Sequence, residues 1–162
     1  SGSLSCEPNN SVVRDTVIRV LTLCKKLHYK VGLIEFHSNS NVIKDRKGEE
    51  LTTDCDTLIV KSLFNKRGYS TCLSLAIEDL NKIIEKYKLF NENINLVIIT
   101  DSYTNYGGKI IANQDKLKLV VITTGRGESD EFKQFLKENK NKKSFFLESI
   151  DKDKRLVLES LD

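Results

Sequence analysis

The chain is poor in the residues from which metal clusters, disulfide frameworks and nucleophilic triads are built. It has two histidines, His28 and His37, and four cysteines, Cys6, Cys24, Cys55 and Cys72, in 162 residues. No two cysteines form a CxxC pair, which argues against both a zinc site and a small disulfide scaffold. Both histidines flank one apolar run, 31–36, so no persuasive Ser-His-Asp or Cys-His arrangement exists and a hydrolase is not indicated. Long apolar runs are missing as well. No stretch approaches the roughly 18–20 residues of a membrane span, and no secretory leader is visible. Nor is there an excess of one charge: 26 basic and 23 acidic residues leave a net +3. The lysines are scattered, with no basic stripe interleaved with aromatics, so a nucleic-acid partner is not expected. No repeat or low-complexity linker divides the chain, and its length suits one domain, 1–162. A domain of that size buries roughly 70% of its unfolded surface and needs no covalent staples.

What is present is an alternation of helical and extended patterns. In 11–27, Val13, Val17, Val20, Leu21 and Cys24 recur at three- and four-residue intervals, which predicts an amphipathic helix. Residues 31–36 form a compact apolar run, then a polar turn at 37–41 and a short return strand at 42–46, together a hairpin. Asp54 can cap a helix over 55–65, and Gly68 breaks the chain. A long amphipathic helix is predicted over 72–88, with Leu73, Ala76, Ile77, Leu80, Ile83, Ile84 and Tyr87 inward. Residues 95–100 and 117–123 read as buried strands. Between them, 103–108 reads as a polar, flexible loop and 109–113 as a short helical or irregular piece. Ser129 can cap a helix over 130–139, 144–147 is a candidate last strand, and 151–161 reads as a closing helix. Continuous apolar strands separated by amphipathic helices imply a mostly parallel sheet covered on both faces. Right-handed crossovers then gather the loops after Phe36, Ile99 and Thr123 on one edge. Cys24 falls on an apolar helical face and is expected to be a buried free thiol. Without a disulfide framework, the cysteines point to an intracellular, cytoplasmic or nuclear compartment, with secretion left open. Asn9-Asn10-Ser11 is a formal glycosylation sequon, a triplet common by chance.

Three short segments of small oxygen-bearing residues stand where elements start or stop: Ser1-Gly2-Ser3, Ser70-Thr71 and Thr100-Asp101-Ser102. Ligands of open α/β sheets bind outside the carboxyl ends of the strands, and oxygens gathered there suit a hard cation such as Mg²⁺. The order of these segments resembles a von Willebrand factor type A (VWA) domain. Ser1-Gly2-Ser3-Leu4-Ser5 resembles the family's Ser-Gly-Ser and its following apolar residue. Residues 31–36 resemble its second strand, which commonly ends in Phe. Gly68-Tyr69-Ser70-Thr71 with Ala76-Ile77 resembles the Gly-Gly-Thr loop and the next helix. Residues 96–101 resemble its fourth strand, with Ser102 where Gly is usual.

The resemblance implies a three-layer VWA/Rossmann-like α/β fold. Its central sheet is mostly parallel with one antiparallel edge strand, and helices cover both faces. It also implies a metal-ion-dependent adhesion site. Ser1 and Ser3 would ligate Mg²⁺ directly, Thr71 directly or through water, and Asp101 would supply charge from a second shell. A partner protein's Glu or Asp would complete the coordination, in a non-enzymatic interaction module that serves within a larger assembly. The family's first strand and its metal-binding Asp have no counterpart in this numbering, so that strand is expected to be missing or permuted. Residues 155–162 are a candidate filler, although Glu159 and Ser160 favour a helix there. Other readings remain open. Thr71 suits a helix cap, Asp101 can bond loop amides, and Ser1 and Ser3 can be a disordered terminus. A phosphotransfer or receiver-like protein would use Asp101 with Thr123, and Gly125-Arg126-Gly127 is a weak nucleotide signal. A metal-free scaffold subunit would use neither.

Overall fold

A computed structural model of the chain describes residues 9–44, 71–100, 104–123, 129–139 and 142–146. Helix α1 spans Asn9–Lys26, and strands β1, Leu33–Phe36, and β2, Ser40–Lys44, form the hairpin. Helix α2 is Leu73–Lys86, strand β3 Ile94–Thr100 and strand β4 Leu117–Thr123. Helix α3, Asp130–Glu138, precedes strand β5, Lys142–Phe146. The expected elements at 55–65 and 151–161, and the candidate filler strand at 155–162, lie outside the described residues.

Strands β3, β4 and β5 form a parallel sheet in that order, with Ile94 opposite Leu117 and Thr100 opposite Thr123. The side chains of β3 and β4 alternate between the two faces, as the period of two requires. On one face Ile98, Leu119 and Val121 pack with Leu73, Ile77 and Ile84 of α2 and with Phe132, Phe135 and Leu136 of α3. On the other, Val97, Ile99, Val120 and Ile122 meet Val20 and Leu23 of α1. Strand β4 has a neighbour on each side and a helix layer over each face, so 119–122 is completely buried. This is why its sequence is continuously apolar instead of alternating.

The hairpin is antiparallel, Phe36 opposite Ser40, with an irregularity between Leu33 and Ile34. Leu21, Val17 and Ile18 of α1 cover Leu33 and Ile43, while Phe36 joins the core beneath α2. Two helices therefore clamp the hairpin and the parallel sheet side by side. Among the described residues no strand pairs joins the two sheets. The expected single sheet with an antiparallel edge strand is thus met only in its parts: a three-stranded parallel sheet and a separate hairpin. Helices nonetheless flank both faces of β3 and β4.

Both α1 and α2 end in the same way. His28 and Lys88 adopt left-handed backbone conformations, φ 57° and 54°. The next amides reach back five residues, Tyr29 to the Cys24 carbonyl at 2.8 Å and Leu89 to the Ile84 carbonyl at 2.9 Å. These closures satisfy carbonyls that the helix itself leaves unpaired. Lysines in the last turns, Lys25, Lys26 and Lys86, complement the helix dipoles.

The segment after β3 takes the irregular one of the two forms expected over 109–113. Residues 104–113 contain no helix and form a strap over the α2–α3 face. Thr104, Gly107, Ile110 and Ala112 are buried along it. Asn81 of α2 holds its middle with both ends of one amide: Nδ2 donates to the Lys109 carbonyl (3.0 Å), and Oδ1 accepts from the Ile111 amide (3.1 Å). At Gly107 the strap has no room for a side chain. A Cβ there would lie 2.7 Å from Cδ2 of Phe135 and 2.9 Å from Cδ2 of Leu73. Gly107→Ala is therefore expected to cost about 1–3 kcal/mol through overpacking. A lower urea midpoint with an unchanged denaturant slope checks this, and an unchanged midpoint contradicts the close approach.

Candidate functional site

Three strands end at one rim, and the residues that follow them are tied together. His37 follows β1, and its carbonyl accepts the Cys72 amide at 2.7 Å. Thr104 lies just beyond β3, and its Oγ1 accepts the Leu73 amide at 3.2 Å. Ser129 lies beyond β4, and its Oγ donates to the Thr104 carbonyl at 2.7 Å. Beside them the Asn105 amide donates to the Thr71 carbonyl at 3.3 Å. The Asn105 side chain grips Ser74 twice: Oδ1 accepts its amide (3.2 Å) and Nδ2 donates to its Oγ (2.9 Å). Residues 71–74, 104–105, His37 and Ser129 thus form one connected cluster at the carboxyl ends of the strands.

This cluster answers a local need of the helices. The first turn of any α-helix has amides without intrahelical acceptors. Helix α3 satisfies one in the expected way, with Ser129 Oγ accepting the Phe132 amide at 3.2 Å. Helix α2 does not. Its cap position is Cys72, which makes no side-chain cap bond. Thr104 and Asn105, thirty-one positions further along the chain, cap it instead. The reading of Thr71 as the cap is therefore corrected: acceptors from the strap have taken that role. Thr71 is half-buried, and its carbonyl accepts the Asn105 amide.

Within the polar loop expected over 103–108, residues 104–108 are irregular as read, but Thr104 is buried instead of exposed. Thr104 is only 4% exposed and serves two helix starts at once, which ties this part of the strap to both helices. Thr104, Asn105 and Asn81 are the residues that local sequence reasoning missed. An Asn in the middle of a helix is the one available signal, because it is a weak helix former that needs another reason to be there. Nothing local marks Thr104 as a cap for a helix so distant in sequence.

Of the four residues expected to hold a cation, Thr71 stands in this cluster. Ser1, Ser3 and Asp101 lie outside the described residues, although Thr100 and Thr104 on either side of Asp101 both belong to this end of the sheet. The donors at the rim are hydroxyl, amide and carbonyl oxygens, which suit a hard cation in kind. No group of three or more His, Cys, Asp or Glu side chains able to hold a metal occurs among the described residues. Neutral oxygens alone hold Mg²⁺ weakly, so a site here needs the carboxylate of Asp101. Helix α3 begins nearby with Asp130 and Glu131, both exposed.

Two further groups have shifted protonation. Burial pushes the Cys24 thiol upward, against a smaller opposing backbone hydrogen bond. At the surface, the Tyr106 hydroxyl of the strap donates to Glu138 Oε2 at the end of α3, and Gln134 donates to Glu138 Oε1 at 2.7 Å. The bond from Tyr106 chiefly lowers the Glu138 carboxyl, and the same bond raises the Tyr106 phenol. The two directions agree, since each protonation state needed for the bond is favoured.

No protein-family model and no curated protein matches the chain. Among solved structures it is similar in fold to proximal thread matrix protein 1 from the mussel byssus. One structure of that protein, with zinc occupying its metal-ion-dependent adhesion (MIDAS) motif, matches at TM-score 0.72 and 12% identity over 99% of this chain and 45% of that one. Two other crystal structures match at TM-scores 0.69 and 0.63, with 12% and 13% identity, over 99% of this chain and 44% of those. The chain therefore has a VWA-like α/β fold and spans less than half the length of the structures it matches.

The comparison corrects the expected intracellular setting: a protein similar in fold is a thread matrix protein of the mussel byssus, which points away from an intracellular compartment. The inference from cysteines fails for a physical reason. Four widely spaced cysteines without a disulfide framework do not by themselves fix a redox compartment, and Cys24 and Cys72 are free thiols, each partly buried. No helix among the described residues is long and apolar enough to cross a membrane.

Two outcomes follow from this geometry. Thr104→Val keeps the shape but leaves the Leu73 amide buried without an acceptor, and should cost about 1–3 kcal/mol. Faster hydrogen exchange at Leu73, restored by Thr104→Ser, checks it; unchanged exchange contradicts the capping role. The Tyr106–Glu138 contact should give a shallow pH dependence with two limbs. The depressed Glu138 carboxyl contributes above its ordinary value of 4.5 and loses that contribution as pH falls through its lower folded value. The raised Tyr106 phenol contributes below 10.0 and loses it as pH rises through its higher folded value. Tyr106→Phe should flatten both limbs in urea titrations across that range, and persistence of both limbs would exclude this pair as their source.

Proposed function

We propose that the chain is a non-enzymatic protein-interaction module that grips an acidic group of its partner through a cation held at the carboxyl rim. The observation that carries this reading is the convergence of His37, 71–74, 104–105 and Ser129 at one rim, where Thr104 and Asn105 cap α2 in place of Thr71. In this reading Ser1 and Ser3 ligate through their hydroxyls, Thr71 ligates directly or through a water, and Asp101 supplies the charge that neutral oxygens lack. The bound cation would contribute an electrophilic position for a Glu or Asp carboxylate of another protein.

Hard oxygen donors favour Mg²⁺. The zinc in the adhesion motif of the byssal protein makes zinc the natural second cation to test. A fixed rim serves such a module because a partner's carboxylate then meets an arrangement that needs no further ordering. The module would work as part of a larger assembly.

Thermal unfolding of the chain with increasing Mg²⁺, and separately Zn²⁺, tests the reading. A cation that binds only the folded state stabilises it by about 2.7 kcal/mol at a hundred times its dissociation constant. The expected result is a concentration-dependent rise in melting temperature that Asp101→Ala abolishes and Thr71→Ala reduces. An acidic peptide should bind only with cation present. Absence of any shift with either metal, or partner binding that survives Asp101→Ala, would favour a metal-free scaffold instead.

A further inference from the structure

We draw no further inference here: the strongest candidate, the gap between the β1–β2 hairpin and β3 that α1 and α2 both span, carries none, because nothing in the structure shows what covers it.

Discussion

The arrangement of this domain depends on the start of α2 finding its acceptors in a distant segment. Thr104 is the centre of that contact. Its hydroxyl oxygen takes the Leu73 amide and its carbonyl takes the Ser129 hydroxyl, so one buried residue sets the entry points of α2 and α3 together. A buried amide without an acceptor costs about 1–3 kcal/mol, a large fraction of the stability of a domain this size. The helix starts therefore cannot drift independently of the strand ends. Thr71 is placed by the same contact, since its carbonyl receives the next amide of the strap.

Packing transmits this constraint through the rest of the fold. The two faces of β3 and β4 are both apolar, and each requires its own helix layer. Helix α1 covers one face and then reaches the hairpin with Leu21, while α2 covers the other face and reaches Phe36. The hairpin is thereby aligned with the parallel sheet, and His37 at its end comes to the Cys72 amide. The strap contributes at its other end through Asn81, and between the two ends Gly107 lies against Phe135 and Leu73. Rim, strap and helix layer form one mechanical unit. Ligand-binding surfaces of open α/β sheets lie at this end of the strands, so the unit stiffens the part of the molecule where a ligand would act.

Much of this was legible in the sequence because it is local. The three-to-four-residue spacing of Leu73, Ala76, Ile77 and Ile84 gave α2 its buried face, and the unbroken apolar run at 117–123 marked the strand enclosed on both sides. Ser129 announced the start of α3 by residue type alone. The strap was not legible. Its polar letters, Thr104, Asn105, Gly107 and Gly108, suit a mobile loop, and the contacts that hold it are with residues 25 to 31 positions away in the chain. The same long-range capping overturned Thr71 as a helix cap, since a local pattern cannot show that another segment has taken the role. Compartment was misread because the lack of a disulfide framework does not by itself fix a redox setting, and the fold likeness points away from the cell interior. The ligand set is legible only as a motif order. Ser1, Ser3 and Asp101 lie outside the described residues, and the fold likeness, at 12–13% identity, extends to architecture alone.

We propose that this rim holds a cation. Paramagnetic broadening by Mn²⁺, a hard cation that substitutes for Mg²⁺, tests it directly in backbone amide spectra. Saturable broadening should appear at His37, at 71–74, at Thr104 and Asn105 and at Ser129, and Mg²⁺ should reverse it. Residues at the opposite end of the strands, such as Ile94 and Leu117, should be unaffected. Broadening centred on that opposite end, or scattered over surface carboxylates without saturation, would contradict the account.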